Sequence, residues 1–426
     1  MCDNYLLKTQ NSEQLYFEVA KNLPIIDFHN HISAVDIAAN KNYENIYELW
    51  LKPDPYKHRL MRICGVPEYF ITGDAEPYEK FEKFCSIFPF IVGNPVYDWS
   101  RMELSKIFGI SDLPTNNNAK KIWDETKEKL RSKDFLPSEI LKRFNIEYQS
   151  PVATLLEDLS FFNGADIVPS LRADELLSPT KDFINSLKAK TGVEISDTAS
   201  YIEAICKVLD EFSYVGCNFA DHSLDYDFFE NPESKLEILK MLATEYAKRN
   251  WTLPLHIGAK RKTSERLKNL AGPAGGYAAT SNDFPISKIC DFLGEVEKSG
   301  YLPDTVLFPL NMSDQAPISV LQGSFSEDNV AAKVQLGPAW WWCDHSLGIK
   351  NTLSSIASFG AVSQFIGMTT DSRSILSFVR HDYFRRILCS WLDEKNTKDE
   401  WNLPIEYQRE IIEKICYKNA KSKIKR

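Results

Sequence analysis

Short apolar runs separated by amphipathic stretches set the pattern of this chain. Runs rich in β-branched and aromatic residues fall at 24–31, 145–152, 165–172, 213–221, 251–259, 305–312, 333–342 and 360–371. Between them, 198–211, 232–249, 285–298 and 349–358 carry the three-to-four-residue apolar spacing of helices that bury one face. Strands alternating with helices predict right-handed β–α–β units and a parallel sheet. Eight such units predict an α/β fold of the closed (β/α)8 barrel kind.

The stretch 34–143 breaks that rhythm. Its patterns, as at 44–51, 78–88 and 119–130, are helical and rich in aromatics, with almost no strand signal. It predicts a helical insertion after the first strand, so that the chain divides into 1–33 (lead-in and strand one), 34–143 (helical subdomain) and 144–426 (the rest of the barrel). The tail, 375–392 and 404–421, predicts closing helices. In the first of these, Arg380, His381, Arg385 and Arg386 suggest a solvated or oligomer-facing surface.

Composition narrows the class. A hydrophobic share of 43% and a charged share of 26% are those of a water-soluble globular chain. The net charge of −9 argues against nucleic acid or an anionic membrane as main partner. It leaves room for an anionic substrate, since a few buried arginines can dominate a local field. No basic-then-apolar leader and no apolar run of about 18 residues is present, so neither a signal peptide nor a membrane span is expected. The nine scattered cysteines, without a CxxC pair, predict reduced thiols and a cytoplasmic location.

The chemistry gathers where the predicted strands end. The run Pro24-Ile25-Ile26-Asp27-Phe28-His29-Asn30-His31 closes on two histidines one residue apart. On a strand, alternation turns both to one side, which is half of a divalent-metal site. Strand three ends in Arg172, strand four in Asp221-His222, and strand five carries His256. Strand six ends near Asn311, strand seven runs into Trp340-Trp341-Trp342-Cys343-Asp344-His345, and strand eight ends in Thr370-Asp371-Ser372-Arg373. Five of the seven histidines thus fall at or just past a strand end, on the rim where barrels of this kind keep their active sites.

A histidine pair on strand one with an aspartate on strand eight resembles the amidohydrolase superfamily. The run from Thr369 through Asp371, Arg373, Arg380-His381-Asp382-Tyr383-Phe384-Arg385-Arg386 to Cys389 resembles the C-terminal signature of the uronate isomerases. Asp27-Phe28-His29-Asn30-His31, Leu255-His256-Ile257-Gly258-Ala259, Ala339-Trp340-Trp341-Trp342-Cys343-Asp344, Tyr47-Glu48-Leu49-Trp50-Leu51, Tyr56-Lys57-His58-Arg59-Leu60-Met61-Arg62 and Ile415-Cys416-Tyr417-Lys418-Asn419-Ala420 are similar to the same family. Two departures stand out. The family's Asp-His-Tyr-Lys-Trp-Arg run is here Asp54-Pro55-Tyr56-Lys57-His58-Arg59, and its Thr-Thr-Asp-Asp run after strand two is replaced by Gln149-Ser150-Pro151-Val152-Ala153-Thr154.

The resemblance implies interconversion of hexuronates and ketohexuronates (D-glucuronate with D-fructuronate, D-galacturonate with D-tagaturonate) by proton transfer between C2 and C1 through an enediol. It implies one divalent ion, zinc or manganese, on His29, His31 and Asp371, with His256 as a further ligand or a contact for substrate hydroxyls. Asp371 would also open the sugar ring, and Tyr56 with Arg373 would act at C2. Arg172 would serve the substrate carboxylate, for which a guanidinium fork is suited, and Trp340 would line the pocket or pack the core. His58 is the imidazole nearest in sequence to Pro55 and the one able to replace the family histidine there. A tyrosine ordinarily ionises near 10, so Arg373 is expected to lower that value. A homo-oligomer is expected. Two other readings stay open: a metal-dependent lactone or amide hydrolase, and a non-catalytic or substrate-shifted sugar-acid binder. The missing histidine on strand six speaks against the two-metal form of the former.

Overall fold

A computed structural model describes residues 3–162, 167–230, 233–282, 284–397 and 400–424. Seven strands form one wholly parallel sheet: β1 (Ile25–Asn30), β2 (Ile146–Thr154), β3 (Ser170–Arg172), β4 (Ala220–Leu224), β5 (Leu253–Ile257), β6 (Thr305–Pro309) and β7 (Val334–Leu336), paired in that order. The first two residues of the third expected strand, 165 and 166, lie outside the described residues. The sheet is curled. In a flat sheet β1 and β5, four positions apart, would stand roughly 19 Å from each other at the usual strand spacing. The rings of His29 on β1 and His256 on β5 have centroids 4.9 Å apart.

Two expected strands differ. The run 213–221 begins as helix, because Thr198–Tyr214 carries a capping box at Asp197 and a continuous buried face through Tyr201, Ile205, Val208 and Phe212. Only after Gly216, at φ +88°, does the chain extend into β4. The run 360–371 forms no strand. Gly367 (φ +91°) and Asp371 (φ +48°) take left-handed backbone conformations that interrupt a ladder. A side chain at Gly367 would also meet the Ile415 carbonyl oxygen. The segment nevertheless runs beside β1: Asp371 N–H donates to the His29 carbonyl at 3.1 Å and His31 N–H to that of Ser372 at 2.8 Å.

Between β1 and β2 the described chain is helical and turn-like throughout, with its main helices at Pro55–Ile63, Pro77–Ile87, Pro95–Phe108 and Ala119–Leu130. Its apolar side chains join those of the sheet in one continuous core. Trp50 and Lys57 both reach the buried Glu103, which also accepts from Ser377. The helix Val379–Thr397 is not a solvated surface. Arg380, His381, Arg385 and Arg386 are all buried, because each guanidinium finds backbone carbonyls to cap: Thr370 for Arg380, Leu23 and Pro24 for Arg385, Asp3 and Tyr5 for Arg386. No helix among the described residues is long and apolar enough to cross a membrane, and the described cysteines are free thiols.

Candidate active site

Asp27 organises the rim of β1. This fully buried carboxylate accepts from Thr369 Oγ1 (2.9 Å), Thr370 N–H (2.6 Å), Thr370 Oγ1 (2.8 Å) and Asn30 Nδ2 (2.8 Å), and faces His381 Nε2 at 3.2 Å. Those bonds fix the segment before Asp371 against β1 and hold Asp371 in its left-handed conformation. Strained residues of this kind persist where the surroundings over-determine them, and they cluster at functional sites.

Held so, Asp371 brings the two halves of the site together. Its Oδ1 lies 3.2 Å from His31 Nε2 and 3.5 Å from His29 Nε2. Its Oδ2 lies 3.4 Å from the Tyr56 hydroxyl. Burial works to raise the Asp371 pKa, but the two imidazoles outweigh it and hold the carboxyl well below its usual range. Burial likewise pushes His31 down to about 4. His29, His31 and Asp371 present one donor atom each within 4.8 Å of one another, and so do His29, Asp221 and His256.

That second group was not singled out in the sequence, although alternation could have found it. Asp221 and His222 are adjacent on β4 and must face opposite ways. His222 turns outward to the Tyr246 hydroxyl at 3.0 Å. Asp221 turns inward, where Oδ1 stands 3.7 Å from His29 Nδ1 and Oδ2 stands 3.4 Å from His256 Nδ1 and 3.3 Å from Arg172 Nη1. Both nitrogens of His29, both oxygens of Asp221 and Nδ1 of His256 are buried without a hydrogen-bond partner. Leaving one such atom unsatisfied costs about 1–3 kcal/mol. Neutral imidazoles beside carboxylates, with unspent lone pairs in a dry pocket, are the donor set that a divalent cation takes.

The remaining expected residues are placed unequally. Tyr56 and Arg373 line one cleft with Pro55, Arg261, Trp341 and Trp342, and a second cleft on the far side of Arg373 exposes His31. Tyr56 does not have the lowered pKa expected of it: burial and then Asp371 push it well above 10, against Arg380 and Arg373. Arg380, whose guanidinium lies 5.1 Å from the Tyr56 ring centroid, is the larger counterweight that the sequence did not reveal. Arg172 has its fork engaged by Asp221, Asp174 and Ser223, so it neutralises the β4 carboxylate and is not open toward the cleft. Trp340 packs on His256 at 4.6 Å and donates to the Phe308 carbonyl, which leaves Trp341 and Trp342 as the rings in the cleft.

His58 is not among the residues that line either cleft. It sits two residues past Tyr56, on another side of the helix, where burial pushes it down to about 4 and its charged neighbours are Asp54, Arg62 and Glu68. Pro55 itself is well accommodated. Asp54 caps the helix through Tyr56 N–H and Lys57 N–H, and proline occupies the first helical position, where a missing N–H costs nothing. Gly276 packs so closely on the Pro55 carbonyl that any side chain there would collide with it.

Comparison with known proteins shows the family. A profile of the glucuronate isomerase family matches residues 1–239 and 233–423. A uronate isomerase of Caldanaerobacter subterraneus is 36% identical, with 99% of this chain and 98% of that protein covered. One from Oceanobacillus iheyensis is 34% identical, covering 99% and 97%. The crystal structure of uronate isomerase from Thermotoga maritima superposes with a TM-score of 0.91 at 28% identity, over 100% of this chain and 99% of that one. With its inward-facing histidines and carboxylates on a curled parallel sheet, the chain belongs to the uronate isomerase family, a family of aldose–ketose isomerases.

Proposed function

We propose that the chain interconverts D-glucuronate with D-fructuronate and D-galacturonate with D-tagaturonate, at one divalent ion held by His29, His31 and Asp371. The observation that carries the reading is the double duty of Asp371: one oxygen faces both imidazoles and the other faces the Tyr56 hydroxyl. Segment 365–372 then serves as the eighth stave of a closed barrel, with 34–143 as an insertion. Its two backbone bonds to β1 support this. The free cysteines and the absence of an apolar span among the described residues are compatible with a cytoplasmic enzyme, and we expect a homo-oligomer.

A bound zinc or manganese ion would supply Lewis acidity at the sugar oxygens. The side chains do the rest. Asp371 takes the C1 hydroxyl proton when the hemiacetal ring opens and returns it to the departing ring oxygen. Tyr56, as the phenolate that the Arg380 and Arg373 guanidiniums favour, takes the proton from C2. The Arg373 guanidinium, which has no ion pair or hydrogen bond among the described residues, stabilises the enediolate that results. Return of that proton to C1, with the O2 hydroxyl proton moving to O1, completes the ketose. The carboxylate of the substrate falls to Arg261, which lines the cleft and is held by Asp225 and Ser223 through Nε and Nη2 only, whereas Arg172 is engaged through all three nitrogens. Pro55 and the lost acidic pair after β2 alter substrate choice and leave the fold intact.

Purified protein incubated with each uronate in D2O tests the proposal. Aldose–ketose interconversion with deuterium at C1 of the ketose, and loss of about 10²–10⁴-fold in kcat for Tyr56→Phe, are expected. Turnover with no solvent label and a near-normal Tyr56→Phe enzyme would overturn the assignment at C2.

A further inference from the structure

The three groups on β1, β4 and β5 pose a question that the metal site alone does not answer. His29 has one ring nitrogen toward Asp371 and the other toward Asp221. A neutral imidazole offers one lone pair and one N–H, so only one of these sides can face a cation. His256 also turns Nδ1 to Asp221, to the oxygen opposite the one that His29 approaches. The carboxylate therefore stands between two Nδ1 atoms, one on each oxygen. Arg172 closes the arrangement from behind, 3.3 Å from Oδ2, and is itself tied to Asp174 and Ser223. Asp221, His29 and His256 are essentially without solvent contact.

We propose that Asp221 is a positioning residue which faces Nδ1 of both His29 (3.7 Å) and His256 (3.4 Å) and by its buried charge favours the proton on each Nδ1, leaving Nε2 of the two imidazoles unprotonated. His29 then presents its lone pair beside Asp371 and His31, and His256 presents its own into the same interior. A carboxylate behind a metal-binding histidine is a recurrent means of fixing tautomer and ring orientation, and its loss commonly costs 10–100-fold in metal affinity. Serving two histidines from two strands with one carboxylate explains why Asp221 is neutralised by Arg172: a fully buried anion with only two N–H partners needs a cation nearby. Arg172 is thus the counter-charge of the device. The alternative is that Asp221, His29 and His256 ligate a second cation, which would require His29 to bridge two metals as an imidazolate. This inference rests on the reading that His29, His31 and Asp371 hold the ion.

Zinc titration and nitrogen NMR of histidine-labelled, zinc-loaded protein test it, both independent of turnover. One zinc per chain is expected, with Nδ1–H signals for His29 and His256 in the wild type, assigned through single His→Gln changes at the other five histidines. In Asp221→Asn an amide N–H replaces one acceptor and opposes either an imidazole N–H or the Arg172 guanidinium. Zinc affinity should fall 10–100-fold, and at least one of the two Nδ1–H signals should shift or exchange. Because the wild-type spectrum reads the protonated nitrogen directly, the test survives if Asp221→Asn folds poorly. An Nε2–H signal for His256, or Asp221→Asn protein with unchanged zinc affinity and spectrum, would overturn the proposal while leaving the metal reading standing, whereas an Nε2–H signal for His29 would overturn both. Two zinc ions per chain would overturn it in favour of Asp221 as a ligand. Failure of wild-type protein to bind zinc or manganese at all would sink the metal reading and the inference with it.

Discussion

Asp344 shows how far a single buried residue can depart from its sequence signal. It follows the Trp340–Trp342 run, where sequence assigned it no role, and the structure buries it with Oδ1 unpartnered and Oδ2 4.0 Å from Arg380 Nη1. Burial, with Asp371 in support, pushes its carboxyl up to about 7 against the pull of Arg380. An ordinary aspartate ionises near 4, so between about pH 4 and 7 the folded chain holds a proton that the unfolded chain has released. Stability contributed by this group is full below pH 4 and is lost as pH rises toward 7, with a slope of at most about 1.4 kcal/mol per pH unit. Urea unfolding of chelator-treated protein from pH 5 to 8 should show wild type losing stability relative to Asp344→Asn as pH rises. Parallel profiles would mean that Asp344 is ionised throughout. What the sequence did show at this scale were the residues with strong pairwise signatures, His29, His31 and Asp371. What it hid were groups such as Asp344 and Asp221, whose role depends on which way a side chain turns in a curled sheet.

Among the elements, the helix Val379–Thr397 illustrates the same limit from the other side. Its arginines and histidine look like a wet face in sequence, because charge is ordinarily a surface property. Here its polar groups satisfy backbone carbonyls, that of Thr370 in the segment that carries Asp371 and those of Leu23 and Pro24 just before β1. The existence of most helices and of seven strands was legible, since burial on one face writes a period into the chain. The break at 360–371 was not, because it depends on Asp27 bonds that reach across some 340 residues of sequence. Arg380 has a particular place in this helix. It donates to the Thr370 carbonyl at 3.0 Å while its guanidinium lies 3.8 Å from the Trp99 ring and 5.1 Å from that of Tyr56. It thus fixes Tyr56 relative to Asp371, and a lysine would keep the charge but lose the planar fork and stack. For Arg380→Lys, kcat on the preferred uronate should fall about 10²-fold with KM little changed, since small misplacements at a reacting centre have costs of that order. Near-normal kcat with a lowered unfolding midpoint would reduce Arg380 to a packing role.

Across the whole molecule, the candidate metal site joins parts of the chain that are otherwise far apart. His29 and His31 come from the first strand and the turn after it, Asp371 from near the other end, and Tyr56 from a helix in between. The same two ends are already fastened below the sheet, where Thr9 and Asn11 hold Asp393 and Arg386 reaches the Asp3 and Tyr5 carbonyls. With one continuous core beneath them, local opening of the rim and global unfolding should be tightly linked. A cation on His29, His31 and Asp371 binds only when β1 and segment 365–372 are in place, so it stabilises the folded chain by mass action, by about 2.7 kcal/mol at 100 times its dissociation constant. Thermal unfolding of chelator-treated protein should therefore show one transition that moves upward with added zinc or manganese, continuously with concentration. The shift should vanish in His29→Ala/His31→Ala, whose baseline transition reports whether the fold survives. A midpoint indifferent to both metals in the wild type would argue that the clustered histidines and carboxylates of the rim bind no cation, and that their unspent lone pairs face substrate alone.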